Sequence, residues 1–211
     1  MGAVEEQPEQ PLCIHFVNTV SKHDGSSTSE RFSDLDRFLG WAASARLLTK
    51  SELPRWSRWG HAHPGEAARF LATAIHFRQY LYDLLLKSAA AQRVNPTKLT
   101  ELNKMLATPG LRRTLQLRDD VIAEAWDCGD GLMALLRKIA LSAADVLLDD
   151  SWRMIISCAR RDDCDWLAID TSRNHSRRYC TSSGCGNLAR VTRHYRRVRT
   201  ASSKTRRNSA A

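Results

Sequence analysis

The stretch CTSSGCGNLARVTRHYRRVR, residues 180–199, decides how the chain is read. Cys180 and Cys185 stand with four residues between them, and the second leads into a run of arginines that contains no acid. Upstream, Cys158 and Cys164 form another pair with five intervening residues, and fifteen residues separate the two pairs. Two close cysteine pairs about 15–20 residues apart are the pattern of a structural zinc site, although gaps of five and four are wider than the usual two. The segment around them has too few apolar residues to bury a core of its own. A tetrathiolate zinc would supply that stability, with apparent binding energies of roughly 10–16 kcal/mol in finger-like peptides. The expected ligands are therefore Cys158, Cys164, Cys180 and Cys185, around one structural Zn²⁺. Arg177 and Arg178 are placed to offset the formal −2 of four thiolates with zinc.

Between the pairs, WLAID (166–170) reads as a strand, TSRNHS as a turn and RRYC as a return strand closed by Cys180. The expected module is a β-hairpin followed by a basic helix. Wound at about 100° per residue, residues 188–198 divide into two faces. Leu188, Val191, Tyr195 and Val198 share one, expected to lie on the hairpin or the preceding domain. Arg190, Arg193, His194 and Arg197 share the other, with Arg196 on the flank. The cysteines then anchor the first turn of a helix whose outward face is built for phosphates. Arg173, Arg177 and Arg178 of the hairpin extend the same surface, and the guanidinium fork suits both phosphate and guanine edges.

Charge is segregated in the same way. Residues 151–211 hold 14 Lys/Arg and 4 Asp/Glu, whereas residues 1–150 hold 18 and 19, and from Arg173 onward there are 11 basic residues and no acid. A one-ended basic segment of this kind points to a polyanion partner, and charge alone does not separate DNA from RNA.

The rest of the 211 residues is long enough for one sizeable core. Residues 1–11 are expected to be a disordered leader, and 201–211 a disordered basic tail. LCIHFVNTV (12–20) is a compact apolar stretch, strand or buried helix, and Lys22 to Arg31 a polar loop. Ser33 with Asp36 three residues on suggests a capping box opening a helix through Leu35, Leu39, Ala42, Ala43 and Leu47. A loop follows. A long helix is expected from about Glu66 to Gln92, striped by Phe70, Leu71, Ala74, Phe77, Leu81, Leu84 and Leu85. Asn95-Pro96 reads as N-cap and first position of a further helix through Leu99, Leu102 and Leu106. Residues 111–126 alternate around Asp119-Asp120 as a β-hairpin, and 132–148 is helical again, ended by Asp149-Asp150. Cys13 and Cys128, alone in apolar surroundings, are ordinary buried thiols.

The expected organisation is thus a mostly α domain with a small β-hairpin (α+β) over residues 12–150, then a four-cysteine zinc module over 151–200. No apolar run approaches the roughly 18 residues of a membrane span, and the start lacks the basic and apolar regions of a signal peptide. The chain is expected in a reducing cytoplasm, nucleoid-associated. It contains no phosphate-binding glycine loop, G-x-S-x-G or H-E-x-x-H, so no enzymatic activity is expected.

Trp166-Leu167, Asp170-Thr171-Ser172-Arg173-Asn174, Ser176-Arg177-Arg178, Cys180 and Cys185-Gly186-Asn187, followed by Ala189, Val191, Arg193 and His194, resemble the CGNR zinc-finger family over about residues 155–197. FVNTV (16–20), the helix from Leu35 to Leu48 and SAADVLL before the finger are similar to the ABATE domain that accompanies it. Leu188 stands where the motif has its final arginine, the first cysteine pair encloses five residues instead of four, and His15 stands where an acid usually precedes the phenylalanine. The resemblance implies a bacterial, stress-induced transcription regulator with a DNA-binding finger. Its N-terminal domain would sense a small-molecule effector, with His15 and Asn18 as contact candidates, or form a homodimer. The alternatives are an RNA-binding protein and a zinc-stabilised interaction module that docks an acidic protein partner.

Overall fold

The computed structural model describes residues 10–21, 29–107, 112–118, 121–128, 131–160, 163–195 and 199. Most of the leader and all of the tail expected to be disordered lie outside them. The apolar stretch after the leader is a helix, α1 (Leu12–Val17), which buries Cys13, Ile14, Phe16 and Val17. Val20–Ser21 (β1) then pairs antiparallel with Ser29–Glu30 (β2). Helix α2 (Leu35–Ser44) is capped by Asp34 rather than Ser33: Asp34 Oδ1 accepts from the Arg37 N–H at 2.8 Å, and the Ser33 hydroxyl donates to the same carboxylate.

A loop was expected next, but residues Glu52–Ala62 form a helix, α3. Its start is prepared by a reciprocal box in which the Thr49 N–H donates to Glu52 Oε2 and the Glu52 N–H to Thr49 Oγ1. Pro54 lies in the first turn, where an N–H has no intrahelical acceptor to lose. Gly60 lets α3 close on α2, since a Cβ there would meet Leu35 Cδ2 at 2.5 Å.

Helix α4 (Pro64–Ala91) runs 28 residues, about 42 Å at 1.5 Å per residue. Its expected stripe is buried except for Leu71, which is half-buried, and Phe70 and Phe77 join Phe16, Phe32, Phe38 and Trp41 in an aromatic cluster. Against this cluster α4 also buries an arginine. Arg78 is 2% exposed, pairs both guanidinium nitrogens with the Glu30 carboxylate, donates to Thr19 Oγ1 at 3.2 Å and lies over the Phe32 ring. It therefore ties β2 and the end of the FVNTV segment to the middle of the longest helix.

Asn95 caps a single turn at Pro96–Leu99, which runs into α5 (Thr100–Leu106). The expected hairpin is present as β3 (Arg112–Arg118) and β4 (Val121–Asp127), in register from Arg112↔Asp127 to Arg118↔Val121; Asp119 and Asp120 lie outside the described residues. Helix α6 (Met133–Leu148) packs against α1 and α5 and ends at Asp149 and Asp150.

In the C-terminal module the strands differ from expectation. Ile155–Ser157 (β5) pairs antiparallel with Leu167–Ile169 (β6), so the loop bearing Cys158 and Cys164 joins the two strands. Residues 177–180, expected as the return strand, are irregular. The backbone there is used by side chains instead: Arg177 donates Nε to the Tyr179 carbonyl and Nη2 to that of Cys180. Residues 187–195 form a final helix, α7.

The free edge of β6 is closed by the N-terminal domain through side-chain amides. Asn18 Nδ2 donates to the Leu167 carbonyl and its Oδ1 accepts the Leu167 N–H, both at 2.8 Å. Two residues along the strand, Gln10 makes the same pair of bonds with Ile169. Gln10 belongs to the leader by sequence, yet it is buried. Residues 167 and 169 point their backbone groups to the same edge, so two carboxamides stand in for a third strand. Tyr82 of α4 adds a bond from its hydroxyl to the Asp165 carbonyl at 2.9 Å. Replacing Asn18 with Ala leaves the N–H and C=O of Leu167, a residue 1% exposed, without partners. The expected cost is about 1–3 kcal/mol, read as a lower denaturation midpoint, with faster hydrogen exchange in β6 than in α4.

Candidate metal centre and adjoining basic cleft

The four cysteines are brought together from three local devices. Cys158 follows β5 directly, and its N–H donates to the Trp166 carbonyl at 2.9 Å, extending the β5–β6 ladder by one rung. Cys164 sits on the return of the same loop. Cys180 precedes, and Cys185 lies within, a turn, Ser182–Gly186, that Thr181 caps by accepting from the Gly184 N–H at 3.1 Å. Gly186 is required there, because its N–H donates to the Thr181 carbonyl and a Cβ would approach that oxygen to 3.0 Å. The Ala159 N–H to the Arg178 carbonyl, 2.7 Å, joins the two halves.

The result is a sulfur cluster covered by Trp166 and Tyr179, with all four cysteines buried. The sulfurs all lie within 4.8 Å of one another, and Cys164 and Cys180 are 3.6 Å apart. Tetrahedral zinc at about 2.3 Å from each thiolate places sulfurs about 3.8 Å apart, so the residues fit the ion. The electrostatics agree. Burial, then the neighbouring sulfurs, push the Cys185 thiol up to about 12, and Cys180 is raised first by its bond to Cys164 and then by burial. Such a set ionises together only around a cation, and the four cysteines are the site of one structural zinc. Among the described residues no other group of three or more His, Cys, Asp or Glu converges in this way. Cys13 is apart from it, its thiol donating to the Ser142 carbonyl and pushed up to about 12 by burial. Cys128 is buried elsewhere.

The cation facing the cluster was not singled out in the sequence. Arg160 has its pKa raised, first by its bond to Asp163 at 2.7 Å and then by the charges of Cys185 and Cys158. Arg177, expected in that role and at the phosphate surface, is fixed on three carbonyls, those of Ile169, Tyr179 and Cys180. The local signal for Arg160 was its place between the first two cysteines.

Beside the cluster lies a cleft of about 530 Å³ lined by Arg177, Arg178, Arg190 and Arg193, with Ser172 and Ser182 among the remaining lining residues and no acid. Asp170, 3% exposed, builds its wall from beneath: its carboxylate accepts from the Ser172 N–H and hydroxyl and from the Arg177 N–H. Burial pushes this carboxyl up, but those bonds outweigh it and hold the pKa below the usual range. Arg173, Arg178, Arg193 and His194 are exposed, and Arg190 donates to the Ser182 carbonyl at 3.1 Å. Arg196 and Arg197 lie outside the described residues, as does Val198. The apolar face of α7 was expected to be covered. Instead Leu188, Val191 and Tyr195 are 47%, 42% and 69% exposed.

Of the two contact candidates in the N-terminal domain, Asn18 is committed to Leu167, and His15 is exposed on α1. Ser57, Asp36 and His61 meet on α2 and α3, with Asp36 in the middle, 2.7 Å from the serine hydroxyl and 3.4 Å from the imidazole. The carboxylate, and not the imidazole, takes the serine hydroxyl, and the two contacts pin α3 to α2.

Comparison with known proteins gives two matches in chain order. The ABATE family, described as "Putative stress-induced transcription regulator", matches residues 10–150, and the CGNR zinc finger matches residues 155–198. No curated protein matches the chain. No helix of the described residues is long and apolar enough to cross a membrane.

Elemental analysis of the purified protein is expected to return about one zinc per chain. Cys180→Ser or Cys185→Ser should lose the metal together with the structure of 155–195. Cys13→Ser and Cys128→Ser should keep it, and zinc loss in either would mean that a different set of thiols holds the ion.

Proposed function

The chain belongs to the ABATE family and carries a CGNR zinc finger, and from that premise we propose that it is a zinc-dependent DNA-binding transcription regulator. The observation that carries the reading is the acid-free cleft beside the metal centre, lined by four arginines together with Ser172 and Ser182. The zinc and the Asp170-centred loop fix the cleft before any partner arrives, so little ordering entropy is lost on binding. Arg178 and Arg193, exposed beside it, serve as phosphate contacts, while Arg177 braces the floor. Arg173 and His194 widen the same face. The N-terminal domain is the sensing or dimerising half in this reading, joined to the finger by Gln10, Asn18 and Tyr82.

One observation favours RNA as the second reading. Tyr195 is 69% exposed on the basic helix, 6.1 Å from the His194 ring, and exposed aromatics are stacking platforms for unpaired bases. Competition between duplex DNA and single-stranded RNA, with Tyr195→Ala as the second protein, separates the two. A selective loss of RNA binding in that variant would favour RNA.

The test of the main reading is a salt titration of duplex affinity for Arg178→Ala, Arg190→Ala and Arg193→Ala combined. Each lost phosphate contact flattens the slope of log affinity against log salt by about 0.9, so the triple variant should lose up to about 2.7. Zinc content should be unchanged. An unaltered affinity and slope with zinc still bound would remove the cleft from the nucleic-acid surface.

A further inference from the structure

Helix α7, residues 187–195, stands almost clear of the rest of the molecule. Ala189 is half-buried and every other residue of the helix is exposed. Leu188, Val191 and Tyr195 form an apolar stripe along it that nothing among the described residues covers. A stripe of this kind on a helix is a contact face, and its spacing gives the shape of the partner. Steps of three and then four residues are those of a two-helix seam, with Leu188 at position a, Val191 at d and Tyr195 at the next a. The same register places the remaining residues. Arg190 and Arg193 fall at c and f, which point away from a partner helix. The positions flanking the seam, e and g, are Thr192, Asn187 and His194, with no lysine, arginine or acid among them. An acidic protein would meet no lysine or arginine beside the apolar stripe, whereas a helix of the same kind needs none.

We propose that α7 pairs with α7 of a second copy of this chain along Leu188, Val191 and Tyr195, leaving the two arginine faces turned outward. The basic cleft is compatible with this, because Arg190 and Arg193 line it and the three stripe residues do not. The pairing itself does not depend on the DNA reading above; its assembly on DNA does. Nine residues of helix span about 13 Å. Three side chains from each copy fall well short of the roughly 1,200 Å² that a stable complex buries, and the like charge of the two modules opposes their approach. The pair is therefore weak in free solution. It forms where a duplex neutralises the arginines and holds two copies side by side, at an effective concentration in the roughly millimolar range. Two finger modules then bind one duplex cooperatively, each with its cleft facing the phosphates.

The test uses the zinc-loaded full chain with Val191→Cys, treated with a short bis-maleimide without DNA; the six native thiols are buried. At high protein concentration a covalent dimer is expected, in a yield that rises as salt screens the two arginine faces. Arg193→Cys, on the outward face, should give little dimer. Adding Leu188→Ala and Tyr195→Ala to Val191→Cys should reduce the yield to that level with zinc content unchanged. A duplex long enough for two copies supplies the second arm. The wild-type chain should bind its second copy about fivefold or more tighter than its first, and Leu188→Ala with Val191→Ala should bind the two equally. Absence of the dimer with Val191→Cys, or an equal yield from Arg193→Cys, overturns the pairing. Adsorption to anionic vesicles that Leu188→Ala abolishes, with no dimer, overturns it too and assigns the face to a lipid surface. Dimer formation with independent binding of two copies overturns the assembly on DNA. Dimer formation by a protein that binds no duplex upholds the pairing and sinks the DNA reading instead.

Discussion

Four sulfurs within 4.8 Å of one another hold the C-terminal module in its shape. Strands β5 and β6 are three residues each, far below what a two-stranded sheet needs to persist in water. The apolar side chains packed on the cluster are Trp166 and Tyr179. A metal at the centre replaces the missing core, and three consequences follow from the same geometry. The loop of Cys158 and Cys164 is pulled closed over Arg160. The turn at Ser182–Gly186 is pinned at Cys185, which sets the direction in which α7 leaves. Arg177 is drawn across the carbonyls of 169, 179 and 180, which builds the cleft floor.

The second constraint is the open edge that a two-stranded sheet leaves on each side. On β6 that edge is closed by Asn18 and Gln10 instead of a strand. Carboxamides suit this task because each carries one donor and one acceptor at the spacing of a peptide group. The arrangement makes α1 the mechanical link of the molecule. It packs on α4 and α6 on one side and reaches β6 on the other, so the N-terminal core is linked to the strand of the finger that runs directly into Asp170 and its loop.

Much of this was legible in the sequence, and the reasons for the misses are physical. The four ligands were readable because spacing and residue type alone identify them. The stripe of α4 and the β3–β4 hairpin were readable because periodicity is local. Helix α3 was hidden by Pro54 and Gly60, although Thr49 and Glu52 carried the signature of its start. Asn18 looked like a ligand contact because its partner lies 149 residues away, beyond any local pattern. The return strand expected at 177–180 had strand-like composition, but Arg177 consumes the carbonyls that a strand would use. The apolar face expected on α7 was not covered, because whether such a face is covered depends on tertiary placement that periodicity does not encode.

That last point bears on how metal and charge are related. With Leu188, Val191 and Tyr195 exposed, α7 gains little from packing, and a helix of this length is marginal by itself in water. What holds it is its first turn, through Cys185, the Thr181 cap and the Arg190 bond to Ser182. The basic face on Arg190, Arg193 and His194 is thus presented by a helix whose first turn is fastened to the sulfur cluster. Metal centre and basic face are in series. Loss of the ion would release the turn, then the helix, then the geometry of the arginines, with no arginine itself altered.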